Sequence, residues 1–177
     1  NSIRGIIDFS KGLSLTDTLW VTTNLETKWD SVSLFTNDFD EAISRVAFDG
    51  GLYGKHPHTT SPEMATNGAL PKCWVRTDGE IYLKKSGSIK EDGTLGLEPY
   101  SEVMVSQILD KLKYSHVQYT LENFRGRVVS SCPLITNQEV MMLPLWVLHE
   151  EDNLQSLLVY CETLGIQQRF YETLILD

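Results

Sequence analysis

The sequence predicts an α+β protein in which a small antiparallel sheet carries one packed helix and is followed by further helices. Three observations predict it. Cys73-Trp74-Val75-Arg76 and Ile81-Tyr82-Leu83-Lys84-Lys85 are short β-type runs on either side of Thr77-Asp78-Gly79-Glu80, and an Asp-Gly pair between alternating apolar residues specifies a tight hairpin. Val117 to Leu121 and Val128 to Cys132, turned at Arg125-Gly126-Arg127, repeat the pattern as a second hairpin. From Glu150 onward the apolar residues recur at helical spacing. By this reading residues 1–60 form an N-terminal α+β part, 61–148 a β-rich part and 149–177 the start of a helical part.

In order, residues 1–36 read as irregular with short β pieces, Leu19-Trp20-Val21 and Val32-Ser33-Leu34-Phe35 being the apolar runs. Asp38 and Glu41 have capping-box spacing and open a helix with Ile43, Val46 and Ala47 on its stripe. Residues 50–68 are loop by composition. Two motifs there fail on chemistry. Gly54-Lys55 is followed by His56 where a P-loop needs Ser or Thr. His56 and His58, even joined by His149 and Glu150, lack metal-ligand spacing. Ser86 to Gly96 reads as a mobile Gly-rich loop, and Pro99 starts a helix to about Leu112 whose stripe groups Glu102 with Val105, Leu109 and Leu112. Its contacts with the sheet are expected through Val105, Ile108, Leu109 and Leu112. Pro133 ends the second hairpin. Acidic residues before Asn153 precede a helix with Leu154, Leu157, Leu158 and Cys161, capped at Leu164-Gly165, and Ile166, Phe170 and Leu174 begin another.

With 177 residues the chain is one domain, or one domain and a small appendage, and can bury roughly 70% of its unfolded surface. Three cysteines, Cys73, Cys132 and Cys161, without a Cys-x-x-Cys, speak against a disulfide framework or zinc site and suit a reducing cytosol. The sequence has no signal peptide and no apolar run of bilayer length, so a cytoplasmic protein with no membrane contact is expected. A net charge of −9 and a pI near 4.9 argue against direct nucleic-acid binding, which needs a broad basic footprint. A nucleotide is different, because a triphosphate needs only a local cluster such as Lys72 and Lys85. The ends read as those of an excerpt: Asn1 stands first, and Leu174-Ile175-Leu176-Asp177 lies inside a helical pattern with no stop signal.

Alternation in the second β run puts Lys85 with Ile81 and Leu83 on one face and Lys84 with Tyr82 on the other, so Lys85 is the lysine expected to turn inward. An inward lysine on a strand followed by an inward glutamate, Glu102, early in the next helix is the arrangement with which kinases hold the phosphates of ATP. The same residues also read as an exposed edge pair of lysines and a helix-start charge, and the pattern leaves both readings open.

With Gly68-Ala69-Leu70-Pro71-Lys72, the Ile81 to Gly87 strand, Glu98-Pro99-Tyr100-Ser101-Glu102 and Cys132-Pro133-Leu134 in this order, the chain resembles the HipA-like serine/threonine kinases of bacterial toxin–antitoxin systems over about Ser14 to Asp177. The resemblance implies a kinase-like N-terminal lobe, residues 61–148 being its nucleotide-binding part, plus the first helices of a helical C-terminal lobe. It implies that Gly68, Ala69 and Lys72 belong to the loop over the ATP phosphates, that Lys85 is the phosphate-binding lysine and that Glu102 orients it. Ser131 to Leu134, with Cys132 and Leu134, would be the hinge that meets adenine through backbone groups. The family's catalytic loop and Mg-binding aspartate are expected beyond Asp177, so the chain would carry the nucleotide-binding lobe and would not transfer phosphate by itself. In full length it would phosphorylate a protein substrate and pair with an antitoxin partner. The alternative is a non-catalytic, regulatory module that grips a partner protein with the same fold.

Overall fold

The computed structural model describes residues 3–39, 48, 70–149 and 153–176, and its contacts divide into two compact units, Asn1–Met141 and Met142–Asp177. Residues 40–47 of the helix expected after Asp38, and the loop 50–68 with Gly54, His56 and His58, lie outside the described residues.

The first unit opens with a helix, α1 (Ile3–Ser10), where irregular and β structure was expected. Neither Leu19–Val21 nor Val32–Phe35 forms a strand. The backbone explains why: the N–H groups of Val32 and Ser33 both turn back to Trp29 O, at 3.0 and 2.8 Å, closing a short 3-10 turn, and cannot serve a ladder. The apolar residues of this segment are nevertheless core, since Leu13, Leu15 and Leu34 pack with Ile81 and with the partly buried Trp20, Trp29 and Trp74. Arg76 fastens the segment to the sheet by donating from Nη2 to Leu34 O and Phe35 O at 3.1 Å and to Asn37 O at 3.2 Å.

The sheet has four antiparallel strands, β1 (Lys72–Thr77), β2 (Glu80–Ser86), β3 (Thr120–Phe124) and β4 (Arg127–Pro133), in the order β1-β2-β4-β3. Both hairpins expected from the sequence are in it. Each turns on two residues in the left-handed region, Asp78 (φ 52°) with Gly79 (φ 86°) and Arg125 (φ 51°) with Gly126 (φ 72°), the requirement of a two-residue loop whose twist matches the strands. The second hairpin starts three residues later than expected, at Thr120: the Tyr119 N–H is taken by Ser106 Oγ at 3.1 Å, and the Gln118 side chain donates to Asp110 at 2.8 Å. Val129, Ser130, Ser131 and Cys132 are buried at four consecutive positions, so β4 is covered on both faces. Its far face packs Val129 with Phe48 and Cys73, and Phe48 meets Phe124 edge-on at 5.3 Å.

Helix α2 (Glu98–Lys111) carries Pro99 in its first turn and ends in a Schellman motif, with Lys113 (φ 55°) bonding Asp110 O and Tyr114 N–H reaching Leu109 O at 2.9 Å. It packs over β4, beside β3 and β2. The packing stripe corrects the expectation: Pro99, Val103 and Ser106 are buried, whereas Val105, Ile108 and Leu112 are about half exposed, at 50%, 49% and 58%. Apolar periodicity alone chose the wrong rotation. On the buried side two polar groups, Glu102 and Ser106, join Pro99 and Val103 in holding the helix.

Ser86 to Gly96, expected as a mobile loop, closes on itself. Ile89 and Leu95 form an antiparallel bridge, Gly96 N–H reaches Ser88 O at 2.7 Å, and Ser88 donates from Oγ (2.7 Å) and N (3.3 Å) to the Glu98 carboxylate. In the second unit a short helix, α3 (Leu145–Leu148), forms within the part expected to be β-rich, and α4 (Leu154–Thr163) and α5 (Gln167–Leu176) form as expected for the helical end of the chain. Asn153 caps α4 by accepting Ser156 N–H at 2.7 Å, and Gly165 (φ 71°) ends it. Among the described residues no helix is long and apolar enough to cross a membrane.

Candidate functional site

The pleat of β2 sends its two lysines to opposite faces, and β4 sets Ser130 opposite Lys85 and Ser131 opposite Lys84. On the α2 face Lys85 Nζ is ion-paired with Glu102 and donates to Tyr119 Oη at 3.2 Å, with the tyrosine ring centroid 4.8 Å away. Ser130 Oγ donates to the second oxygen of Glu102. Side-chain exposures of 18% for Lys85 and 28% for Glu102 leave the pair shielded yet within reach of water and small solutes. Burial by itself would depress the Lys85 pKa, but the hydrogen bonds to Glu102 and Tyr119, with the charges behind them, outweigh it and raise the value above the ordinary lysine range.

Lys72 is the β1 register partner of Lys85. Its pKa is lowered, first by burial and then by the Lys85 charge. The Tyr119 phenol is raised chiefly by burial and also by Cys132, and the Cys132 thiol is raised by burial, which marks it as a protonated thiol and not a nucleophilic thiolate.

Lys84 corrects a sequence expectation. It is 5% exposed, more enclosed than Lys85, ion-paired with Glu122 and beside Ser131, with the rings of Tyr82 and Phe124 each 5.7 Å away. The expectation of one inward lysine assumed a sheet with one solvated face. Here both faces are covered, so both lysines needed a carboxylate.

Of the residues singled out from sequence, Lys85, Glu102 and Cys132 converge, and Lys72 flanks them. Leu134 does not join them: its N–H donates to Ile81 O at 2.8 Å and its side chain packs on the Leu13 and Leu15 cluster. Beside it lies an open cleft of about 420 Å³ lined by Phe35, Arg76, Ile81, Leu134, Asn137 and Glu139 among others. Gly68 and Ala69 lie outside the described residues. Sequence reasoning missed Tyr119 and Ser130. The signal available for Ser130 was a run of small residues in a strand, Ser130-Ser131-Cys132, which marks close cover on both sides; nothing in the sequence pointed to Tyr119.

A second cleft, of about 440 Å³, runs along α2 and is lined by Glu102, Val105, Ser106, Leu109, His116 and Tyr119 among others. Among the described residues no three His, Cys, Asp or Glu side chains are grouped so as to hold a metal ion. Compared with protein-family models, with curated proteins and with solved structures, the chain matches none.

Proposed function

We propose that this chain is the ATP-binding part of a HipA-like serine/threonine protein kinase, which in full length transfers the γ-phosphate of ATP to a protein hydroxyl. The observation that carries the reading is the Lys85–Glu102 pair: a lysine on an inner strand held by a glutamate of the helix that follows it. The element order supports it, since the lysine strand β2 leads through α2 to a hairpin whose last strand, β4, lies directly beside β2. Lys72, across from Lys85, supplies a second cation on the same face. ATP fits these residues through its phosphates. Mg²⁺ has no ligand group among the described residues, so nothing in the reading is routed through it.

The test is titration of ATP into the chain, followed by heat or by a fluorescent ATP analogue. Saturable binding that Lys85→Ala weakens by roughly 10- to 100-fold is expected for the loss of one charge-assisted contact. Absence of binding by the native chain, or equal binding by Lys85→Ala, refutes the reading. A second reading, a partner-gripping module with the same fold, is favoured by the exposed line Tyr100, Met104, Ile108 and Leu112 on α2, 47% to 58% exposed. It gains if the chain binds no nucleotide.

A further inference from the structure

Ser106 occupies an interior position of α2 and is 3% exposed, where a serine hydroxyl ordinarily bonds back to the carbonyl one turn earlier. Its hydroxyl goes elsewhere. His116 Nδ1 lies 2.7 Å from Tyr114 O, and because a carbonyl only accepts, Nδ1 carries the proton. In the neutral ring Nε2 is then an acceptor, and Ser106 Oγ, 3.0 Å away, donates to it. With its proton committed, Ser106 Oγ accepts Tyr119 N–H at 3.1 Å. Gln118 Nε2 flanks the assembly, donating to Asp110 at 2.8 Å and standing 3.2 Å from His116 Nε2.

This latch lies between the two partners of Lys85. Ser106 is one helical turn beyond Glu102, so its fixation sets the rotation of α2 that turns Glu102 toward the sheet. The same oxygen holds the backbone of Tyr119, whose hydroxyl is the other acceptor for Lys85. Apolar packing alone does not account for that rotation: Pro99 and Val103 are buried, but Met104, Val105 and Ile108 are about half exposed.

We propose that Ser106 and His116 are positioning residues whose hydrogen-bonded latch holds Glu102 and Tyr119 on Lys85. The inference deepens the kinase reading, in which this pair receives the nucleotide, but it concerns the pair itself and is read without nucleotide.

The experiment is competitive acylation of the native chain at slightly alkaline pH, with the extent at each lysine read by mass spectrometry. Reactivity follows the free-amine fraction, so losing the partners that raise its pKa exposes Lys85: a fall of one pKa unit multiplies that fraction about tenfold. Ser106→Ala and His116→Phe should each raise Lys85 labelling several-fold and leave Lys84, on the opposite face, at its native level. Ser106→Thr, which keeps the hydroxyl, should label like the native chain. Unchanged Lys85 labelling in Ser106→Ala and His116→Phe overturns the latch, as does a uniform rise at Lys84 and Lys85 alike, which reads as general loosening. A Ser106→Thr chain as reactive as Ser106→Ala overturns it too. A native chain that binds no ATP yet shows the selective rise at Lys85 removes the kinase reading and keeps the latch.

Discussion

Lys84 and Lys85, adjacent in β2, hold different glutamates on opposite faces of one sheet, Glu122 and Glu102. The two lysines therefore separate stability from binding. Lys84→Ala removes a buried cation and leaves Glu122 unpaired but partly solvated, so we expect a loss of about 2–3 kcal/mol, below the range for a fully enclosed pair. Denaturant melts check it. ATP affinity in the folded fraction should stay near native, whereas Lys85→Ala should lose ATP with a smaller effect on the melt. The reverse pattern would assign the site to the other face.

Alkaline pH should loosen the α2 site. The folded-state pKa values of Lys85 and Tyr119 are both raised, so each contributes stability that is fully present below its unfolded value and is lost as pH rises through the folded one. With ordinary values of 10.5 for lysine and 10.0 for tyrosine, the loss begins near pH 10. Melting temperature against pH should fall more steeply there for the native chain than for Lys85→Met. Parallel curves would mean that the pair adds nothing to stability.

Glycine at position 96 is required by its neighbour's carboxylate. A Cβ there would overlap Glu98 and come within 2.5 Å of Ser88 Oγ. The Glu98 pKa is held low chiefly by the Ser88 hydroxyl. Gly96→Ala should therefore push the carboxylate off Ser88 and return its pKa toward the ordinary glutamate range, readable by NMR titration. Gly93→Ala strains a left-handed backbone position (φ 81°) but meets no atom within 4 Å, so it should lower stability and leave the Glu98 titration near native.

The second unit offers a separate check. Asn153→Ala removes the cap that accepts Ser156 N–H and should cost the helical unit about 1 kcal/mol, seen as faster amide exchange in the first turn of α4. Unchanged exchange there would mean that the cap is dispensable.

Elements marked by special backbone chemistry were legible in the sequence. Asp78-Gly79, Pro99, Pro133 and Gly165 each sit where their conformational limits require, and the β2 alternation gave the faces of Lys84 and Lys85 correctly. What failed was inference from apolar runs. Val32 to Phe35 is core without being strand, because the Val32 and Ser33 N–H groups are consumed by a local turn, and α2 buries Pro99, Val103 and Ser106 where the apolar period pointed to Val105, Ile108 and Leu112. In the site, Lys85 and Glu102 were legible because a strand lysine and a helix glutamate carry definite periods. Tyr119 was not, since it lies outside regular structure and owes its position to the hydrogen bond its N–H donates to a helix serine, Ser106.

The order of pairing in the sheet bears on how the chain folds. β1 with β2, and β3 with β4, are neighbours in sequence and close through two-residue turns, an event of microseconds. The seam between β2 and β4 is another matter. It joins Lys85 to Ser130 across α2 and the latch segment, so closing it costs more loop entropy than closing either hairpin. The candidate site lies on that seam. Its assembly depends on that long-range pairing: with both hairpins formed and the seam open, β2 would be an edge strand and Glu102 would lack Ser130.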